Sequence, residues 1–339
     1  MKYVKWAGAI LAAVIFAFVA VGFLLPSEVR LERSAVVEPP PCTVYAYLEG
    51  FQRFSEFSPW QKKDEKAVYV YSGPTFGPGA RMDWTSDVVG NGSQEITAVK
   101  ACERVDIALN FGPDGAAAAY WTLAPEGAGT KVTWGFTSDA GYNLIGRYFG
   151  LIMDSLLGPD YEQGIADFKK MVDAGPKADL AGFDAETIDA PAQPFVFLAV
   201  DSAKDPASVG AAVGPAFGQV AAWLPANGLT LAGAPVVRTL SVEGDTFKME
   251  AGFPTSDRPL SVPEPFQVGV LGGGPAVKVV HVGGYGGLEA THAKLDAWME
   301  VRRLVPEGPR WESFPDDPAT VAEKELRTEI YAPLKTVSK

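Results

Sequence analysis

The chain has 339 residues, 47% of them hydrophobic and eight of them Trp, which excludes a largely disordered protein and suffices for two domains. A formal net charge of −12 argues against a nucleic-acid partner, which would need a basic stripe against phosphate. With only two His and two Cys, a zinc cage of those residues is excluded, and no metal or cofactor is expected. Cys42 and Cys102 are either two free thiols or one disulfide, and their spacing does not decide between them.

Residues 1–26 read as a transmembrane anchor. From Trp6 to Leu25 there is no charged residue, and nearly every side chain is apolar. At 1.5 Å per residue, roughly twenty residues cover a bilayer core of about 30 Å. Lys2 and Lys5 precede the run. They hold the N-terminus in the cytoplasm and place everything after Pro26 on the extracytoplasmic, periplasmic side. Arg30 and Arg33 weigh mildly the other way. The competing reading is a cleaved signal peptide with Ala20-Val21-Gly22 near the cut, but the run exceeds the core of about 7–15 residues that such peptides carry.

The first soluble domain is expected over residues 27–175. Val29 to Val37 reads as a strand, stopped by Pro39 to Pro41. Helical spacing follows at Val44, Tyr45 and Leu48, then Phe51 and Phe54. Asp87-Val88-Val89 and Glu95 to Val99 flank Gly90-Asn91-Gly92 as a hairpin. Val105 to Phe111, Ala117 to Leu123 and Lys131 to Thr137 are strands between Gly-rich turns. Tyr161, Ile165, Phe168 and Val172 recur at i, i+4, i+7 and i+11, one face of a closing helix. The result is an α+β domain, a curved sheet wrapped over that helix. Its aromatic residues Trp60, Phe76, Trp84, Tyr120, Trp121 and Trp134 are candidates for a cavity, against the plainer reading that they are core. No catalytic constellation stands out in this half.

These residues resemble a known family. Pro39-Pro40-Pro41-Cys42-Thr43-Val44-Tyr45 resembles the opening of START-like (SRPBCC, polyketide cyclase/dehydrase-like) domains. Phe54-Ser55-Glu56-Phe57-Ser58-Pro59-Trp60 is similar to the W-S-P-W element of one branch, with Phe57 where the first Trp is usual. Gly158 to Ile165 and Phe168-Lys169-Lys170 resemble that branch's closing helix. The resemblance covers residues 28–174. It implies a helix-grip fold whose apolar cavity takes lipids, polyketides or other hydrophobic ligands, with Trp60, Trp84 and Trp121 as contacts.

Residues 176–182 read as a linker, and residues 183–339 as a second domain with an internal repeat. Phe195 to Val200 and Val277 to Val282 are strands, each leading into a helix that carries a Trp (Trp223, Trp298). Gly233 and Gly308 keep the same offset, before Val236 to Val242 and Arg310 to Phe314. Met249 to Pro254 aligns with Thr328 to Pro333. Two strand–helix–strand–strand units imply a pseudo-two-fold with a groove between the halves. Gly283 to Gly287 fits no phosphate loop, and no G-x-S-x-G elbow occurs, which argues against a serine hydrolase. His281, between Val280 and Val282, reads as a hydrogen-bonded core histidine.

This half resembles the GyrI-like small-molecule-binding domain, also the effector domain of multidrug-sensing activators. His281 to Leu288 is similar to H-x-G-P-Y-x-x-L, with Gly284 for Pro. Gly308 to Phe314 with Asp317-Pro318 is similar to W-E-x-Y…D-P, with Phe314 for Tyr. Thr328 to Leu334 matches T-E-I-Y-x-P-L. The resemblance implies flat, apolar, often cationic ligands. Glu329 and Glu312 would hold them with the aromatics Trp311, Tyr331 and Tyr285, a carboxylate and ring faces together attracting a cation. Glu250, the repeat mate of Glu329, is a weaker candidate. Some members hydrolyse strained electrophiles with two Glu, one desolvated with a raised pKa; here the pair would be Glu312 and Glu329. Against this, both Glu are solvated strand residues, with Glu329 paired to Arg327 or Arg310. The expected function is a membrane-anchored protein that binds a hydrophobic small molecule. A hydrolase, or an interaction protein with filled pockets, is the alternative.

Overall fold

The computed structural model describes residues 2–259 and 261–335. Two compact units emerge, Met1–Ala181 with Val301–Arg303, and Gly182–Glu300 with Leu304–Lys339.

The first unit begins with helix α1 (Lys2–Leu24), whose stretch Lys5–Leu24 is long and apolar enough to cross a membrane. Strand β1 (Glu28–Val37) is followed by α2 (Pro41–Leu48), which starts on Pro41, a residue pre-set for a first helical turn. Two short helices, α3 (Phe54–Phe57) and α4 (Pro59–Lys63), come next, the latter capped by the Ser58 hydroxyl on Gln61 N–H. Then come β2 (Val68–Ser72), β3 (Arg81–Thr85), β4 (Gly92–Lys100), β5 (Arg104–Asn110), β6 (Ala116–Glu126) and β7 (Gly129–Asp139). Helices α5 (Leu144–Gly150) and α6 (Met153–Asp173) close the unit. All pairings are antiparallel, in the order β1-β7-β6-β5-β4-β3-β2. Tyr161, Ile165, Phe168 and Val172 of α6 are buried, as their spacing requires.

Two expectations change here. Asp87-Val88-Val89 is a turn, not a strand: the Ser86 hydroxyl accepts from Val88 and Val89 N–H, and Asn91 Oδ1 accepts from Ser86 N–H. Cys42 at the start of α2 and Cys102 in the β4–β5 turn form a disulfide, which resolves the open pair.

The second unit contains β8 (Ala185–Ala190), β9 (Gln193–Ala203), α7 (Pro206–Ala226), β10 (Val236–Glu243), β11 (Thr246–Pro254), β12 (Gln267–Leu271), β13 (Gly274–Val282), α8 (Leu288–Val301), β14 (Trp311–Ser313) and β15 (Arg327–Pro333). The order β12-β9-β11-β10-β14-β15-β13-β8 is that of a duplication. The unit β9-α7-β10-β11 maps onto β13-α8-β14-β15 about an axis between β10 and β14, with β11 matching β15 as the Glu250 and Glu329 alignment requires. The leading strands are exchanged. β8 pairs with β13 of the second repeat, and β12 with β9 of the first.

Both helices lie on one face of this sheet. Under α7, Val196, Leu198, Val237, Met249 and Ala251 meet Val213, Ala216, Val220 and Leu224. α8 reaches the same face through His281 and Glu312. The other face carries Phe195, Phe197, Val236, Ala276 and Trp311 as its own buried layer.

Candidate functional site

In the first unit the expected apolar cavity is packed. Trp121 and Trp134 stack across β6 and β7 at 4.8 Å, Phe57 meets both edge-on, and Phe168 fills the floor. Gly164 of α6 leaves room for the Trp134 ring, which lies 2.6 Å from where a Cβ would stand. The remaining cavity is about 40 Å³, lined in part by Trp60, Trp121, Trp134 and Tyr161. Ligand pockets occupy roughly 300–1,000 Å³, so in this structure the aromatic side chains themselves fill most of the space between sheet and helix. Trp84 is not part of its lining and packs edge-on against Phe111. Phe76, in the β2–β3 connection, covers Gly50.

Tyr120 points the other way, out of the opposite sheet face, because it neighbours Trp121 on one strand. Its ring lies over Gly135, and its hydroxyl donates to Glu32 at 2.5 Å. Around it runs an open cleft of about 420 Å³ with Arg30, Arg104, Asp106, Thr97 and Thr137 in its walls. The charges there are already matched, Arg30 to Glu32 and Arg104 to Asp106.

In the second unit the expected residues separate into two groups, and the register decides which. Trp311 lies opposite Tyr331, and Ser313 opposite Glu329. Glu329, Tyr331 and Trp311 therefore share the helix-free face. The Trp311 and Tyr331 rings stack at 5.0 Å. Tyr331 donates its hydroxyl to Glu329 at 2.7 Å, and the Lys278 ammonium donates to the other carboxylate oxygen at 2.9 Å. Glu250 is matched in the same way by Arg238, whose guanidinium also lies over Phe195 and Phe197. Burial disfavours ionisation of Glu329, but Lys278, Tyr331 and Arg327 outweigh it and hold the carboxyl below its usual value. The direction is opposite to the raised pKa that the hydrolase alternative asks of one of its two Glu. Its main partner is Lys278, rather than Arg327 or Arg310; Arg310 pairs with Asp296.

Glu312 pairs with Ile330 and Val237 and so faces the helices. Its carboxylate accepts from His292 Nε2 of α8 at 2.6 Å. Phe314, two residues on, meets Tyr285 edge-on at 5.7 Å and Phe217 of α7 at 6.3 Å. Phe217 in turn meets Phe253 of β11 at 5.7 Å. None of these rings is fully buried, in contrast to Phe195, Phe197 and Trp311 on the helix-free face. Glu312 thus shares the helix side of the sheet with a partly buried series of rings, Tyr285, Phe314, Phe217 and Phe253, that runs from the start of α8 to α7 and β11. His281 is a core residue. Its Nε2–H donates to Gly284 O, and its Nδ1 meets the Thr291 hydroxyl. Among the described residues, no group of three or more His, Cys, Asp and Glu could hold a metal ion.

Residues 28–173 match the family "polyketide cyclase / dehydrase and lipid transport". Residues 238–335 match the "GyrI-like small molecule binding domain". A comparison with curated proteins finds no match. Among solved structures, the EcmrR C-terminal domain is 21% identical over 46% of this chain and 99% of its own, with a TM-score of 0.41. A hydrolase from Listeria innocua is 16% identical over 45% of this chain and 92% of its own, with a TM-score of 0.34. Ara h 8.0201 is 12% identical over 44% of this chain and 99% of its own, with a TM-score of 0.31. The chain thus joins, in this order, a domain of the polyketide cyclase/dehydrase and lipid-transport family and a GyrI-like small-molecule-binding domain.

Proposed function

We propose that the chain is a membrane-anchored protein that binds a flat, apolar small molecule with a cationic or hydrogen-bond-donating group, on the helix side of the second sheet at Glu312. The observation that carries this reading is the position of Glu312 on the helix side of the sheet, held by His292 and two residues before Phe314 in the partly buried series Tyr285, Phe314 and Phe217. A cation there gains from the carboxylate and from ring faces, the latter about 0.5–2 kcal/mol. Glu312 is free to exchange His292 for such a ligand, since His292 is itself partly exposed. The helix-free face is a poorer seat, because Lys278 already occupies the position a ligand cation would take beside Glu329 and Tyr331.

Two features support attachment of the chain at the outer face of a membrane. One is the apolar helix α1. The other is the Cys42–Cys102 disulfide, a bond that persists in oxidising compartments.

The paired-carboxylate hydrolase loses its geometry, since its two Glu lie on opposite faces of the sheet. Hydrolysis keeps one specific support, the His292–Glu312 hydrogen bond, an arrangement a general base uses.

The test is a thermal-shift screen of the full chain in detergent with lipophilic cations, fatty acids and polyketides. A ligand of the folded state raises the melting temperature in step with RT ln(1 + [L]/Kd). The expected result is a shift by cations that is lost in Glu312→Gln and kept in Glu329→Gln. The reverse pattern, or no shift in the wild type, overturns the assignment to the helix side. Turnover of a stabilising ligand, lost in His292→Gln, would mark the protein as an enzyme.

A further inference from the structure

We infer that the segment from Tyr142 to Leu156 is a second membrane contact, an interfacial element that lies in the boundary between headgroups and acyl chains beside the exit of α1. The inference rests on the reading of α1 as a membrane span.

Tyr142, Ile145, Phe149, Ile152 and Leu156 follow one another at intervals of three and four residues, from the turn before α5, through α5 and the break after it, into the start of α6. All five are exposed, Tyr142 at 88% and Ile145 at 75%. Leu151 beside them is 62% exposed. Scattered surface apolar residues need no explanation, but six large ones within fifteen residues mark an interaction surface. α5 carries no buried residue, so this series is not a core face turned slightly outward.

The occupant follows from what holds α5 in place. The other side of α5 grips α1. The Tyr148 ring stacks on Phe18 at 4.4 Å, and its hydroxyl donates to Phe18 O. Leu144 and Tyr148 close over Gly22, 3.0 Å from where a Cβ would stand. Arg147 donates to Phe23 O and Leu25 O, two of the carbonyls that a helix end leaves without intrahelical partners. α5 is thus fixed at the end of the apolar span. At 1.5 Å per residue, Phe18 lies about 9 Å below Leu24 along the axis. Interfacial helices bury their apolar faces to about 5–10 Å, the same depth. Lipid is therefore the neighbour that this series meets once α1 is inserted. Arg147 is the one basic residue between Tyr142 and Leu156, and α1 engages it. Insertion is accordingly apolar and does not depend on anionic lipid.

The experiment uses the full chain in phosphatidylcholine vesicles. Both native Cys are in the disulfide, so one added Cys can carry an environment-sensitive dye. Dyes are placed through Ile145→Cys and Ile152→Cys, through Val14→Cys in the centre of α1, and through Ala128→Cys in the β6–β7 turn, at the end of β7 remote from Asp139. Brominated lipids probe depth, and aqueous iodide probes exposure. The expected result is that dyes at 145 and 152 are quenched by lipid brominated near the headgroup, and several-fold less by iodide than the dye at 128. The pattern should be the same with and without anionic lipid. If the dye at 14 is embedded while those at 145 and 152 meet iodide as readily as the one at 128, the interfacial contact is overturned and the span stands. If the dye at 14 itself meets iodide, the span fails and the inference with it. Protection at 145 and 152 that appears only with anionic lipid overturns apolar insertion.

Discussion

Glu312 and Glu329 lie on directly paired strands yet face opposite sides of one sheet, because Ser313 is the residue across from Glu329. One carboxylate faces the helices and meets His292 of α8. The other joins a closed cluster with Lys278 and Tyr331. The two Gln variants should therefore differ in kind. Glu312→Gln should remove ligand stabilisation while costing the apo protein about 1 kcal/mol, the worth of one hydrogen bond. Glu329→Gln should weaken the apo protein by a similar amount and leave ligand affinity in place. Melting curves with and without a lipophilic cation separate the two.

Glu329 also gives a pH dependence with a defined sign. Its folded-state pKa is lowered, so the native state binds fewer protons there than the unfolded chain. The contribution to stability is complete above the ordinary Glu value of about 4.3 and is lost as pH falls through the lower folded value. Wild type and Lys278→Met should differ in denaturant midpoint at pH 7, and the difference should shrink as pH drops below about 4. A gap that stays constant down to pH 2.5 would exclude the ion pair as its source.

The Cys42–Cys102 disulfide ties the start of α2 to the β4–β5 turn. Closing a loop of this size is worth about 2–5 kcal/mol. The double variant Cys42→Ser, Cys102→Ser should lose stability in that range. Non-reducing mass analysis of protein purified from its native compartment should find the bond formed.

Gly135 is a site of obligatory absence. A Cβ there would stand 2.1 Å from the Tyr120 ring. That ring is held by Glu32 on one side and lies under the Arg104 guanidinium at 4.6 Å. Gly135→Ala should cost about 1–3 kcal/mol, the range for overpacking. It should also change the near-ultraviolet circular dichroism of the tyrosines.

Much of the fold is legible in the sequence because its periodicities are clean. Tyr161, Ile165, Phe168 and Val172 mark one helix face, and the shared offsets of Trp223 with Trp298 and Gly233 with Gly308 mark the repeat. The site is less legible, because a strand pair turns a residue inward or outward by its register and one sequence does not state the register. Glu312 and Glu329 look like a pair until Ser313 is seen opposite Glu329. Tyr120 and Trp121 were both candidates for one cavity, although adjacent strand residues face opposite ways, and that parity was readable. Lys278 and Arg238, the cations that meet Glu329 and Glu250, carry only a faint mark in the sequence. Each interrupts an apolar strand, Val277-Lys278-Val279 and Val237-Arg238, which was the available signal. His292 had no such signal; its role comes from the packing of α8 against β14. The series from Tyr142 to Leu156 was hidden for a further reason. It continues through the break between α5 and α6, where helical spacing is not normally sought.

The exchange of β8 and β12 makes the two repeats interlocked. Each repeat supplies the outermost strand of the other, so neither possesses a complete edge alone. A cut in the connection between β11 and β12 would leave two fragments, one with β8 and the other with β12 stripped of its partner. They would regain order only by recombining, or by recruiting the missing strand from another molecule. The duplicated domain should accordingly melt in a single step.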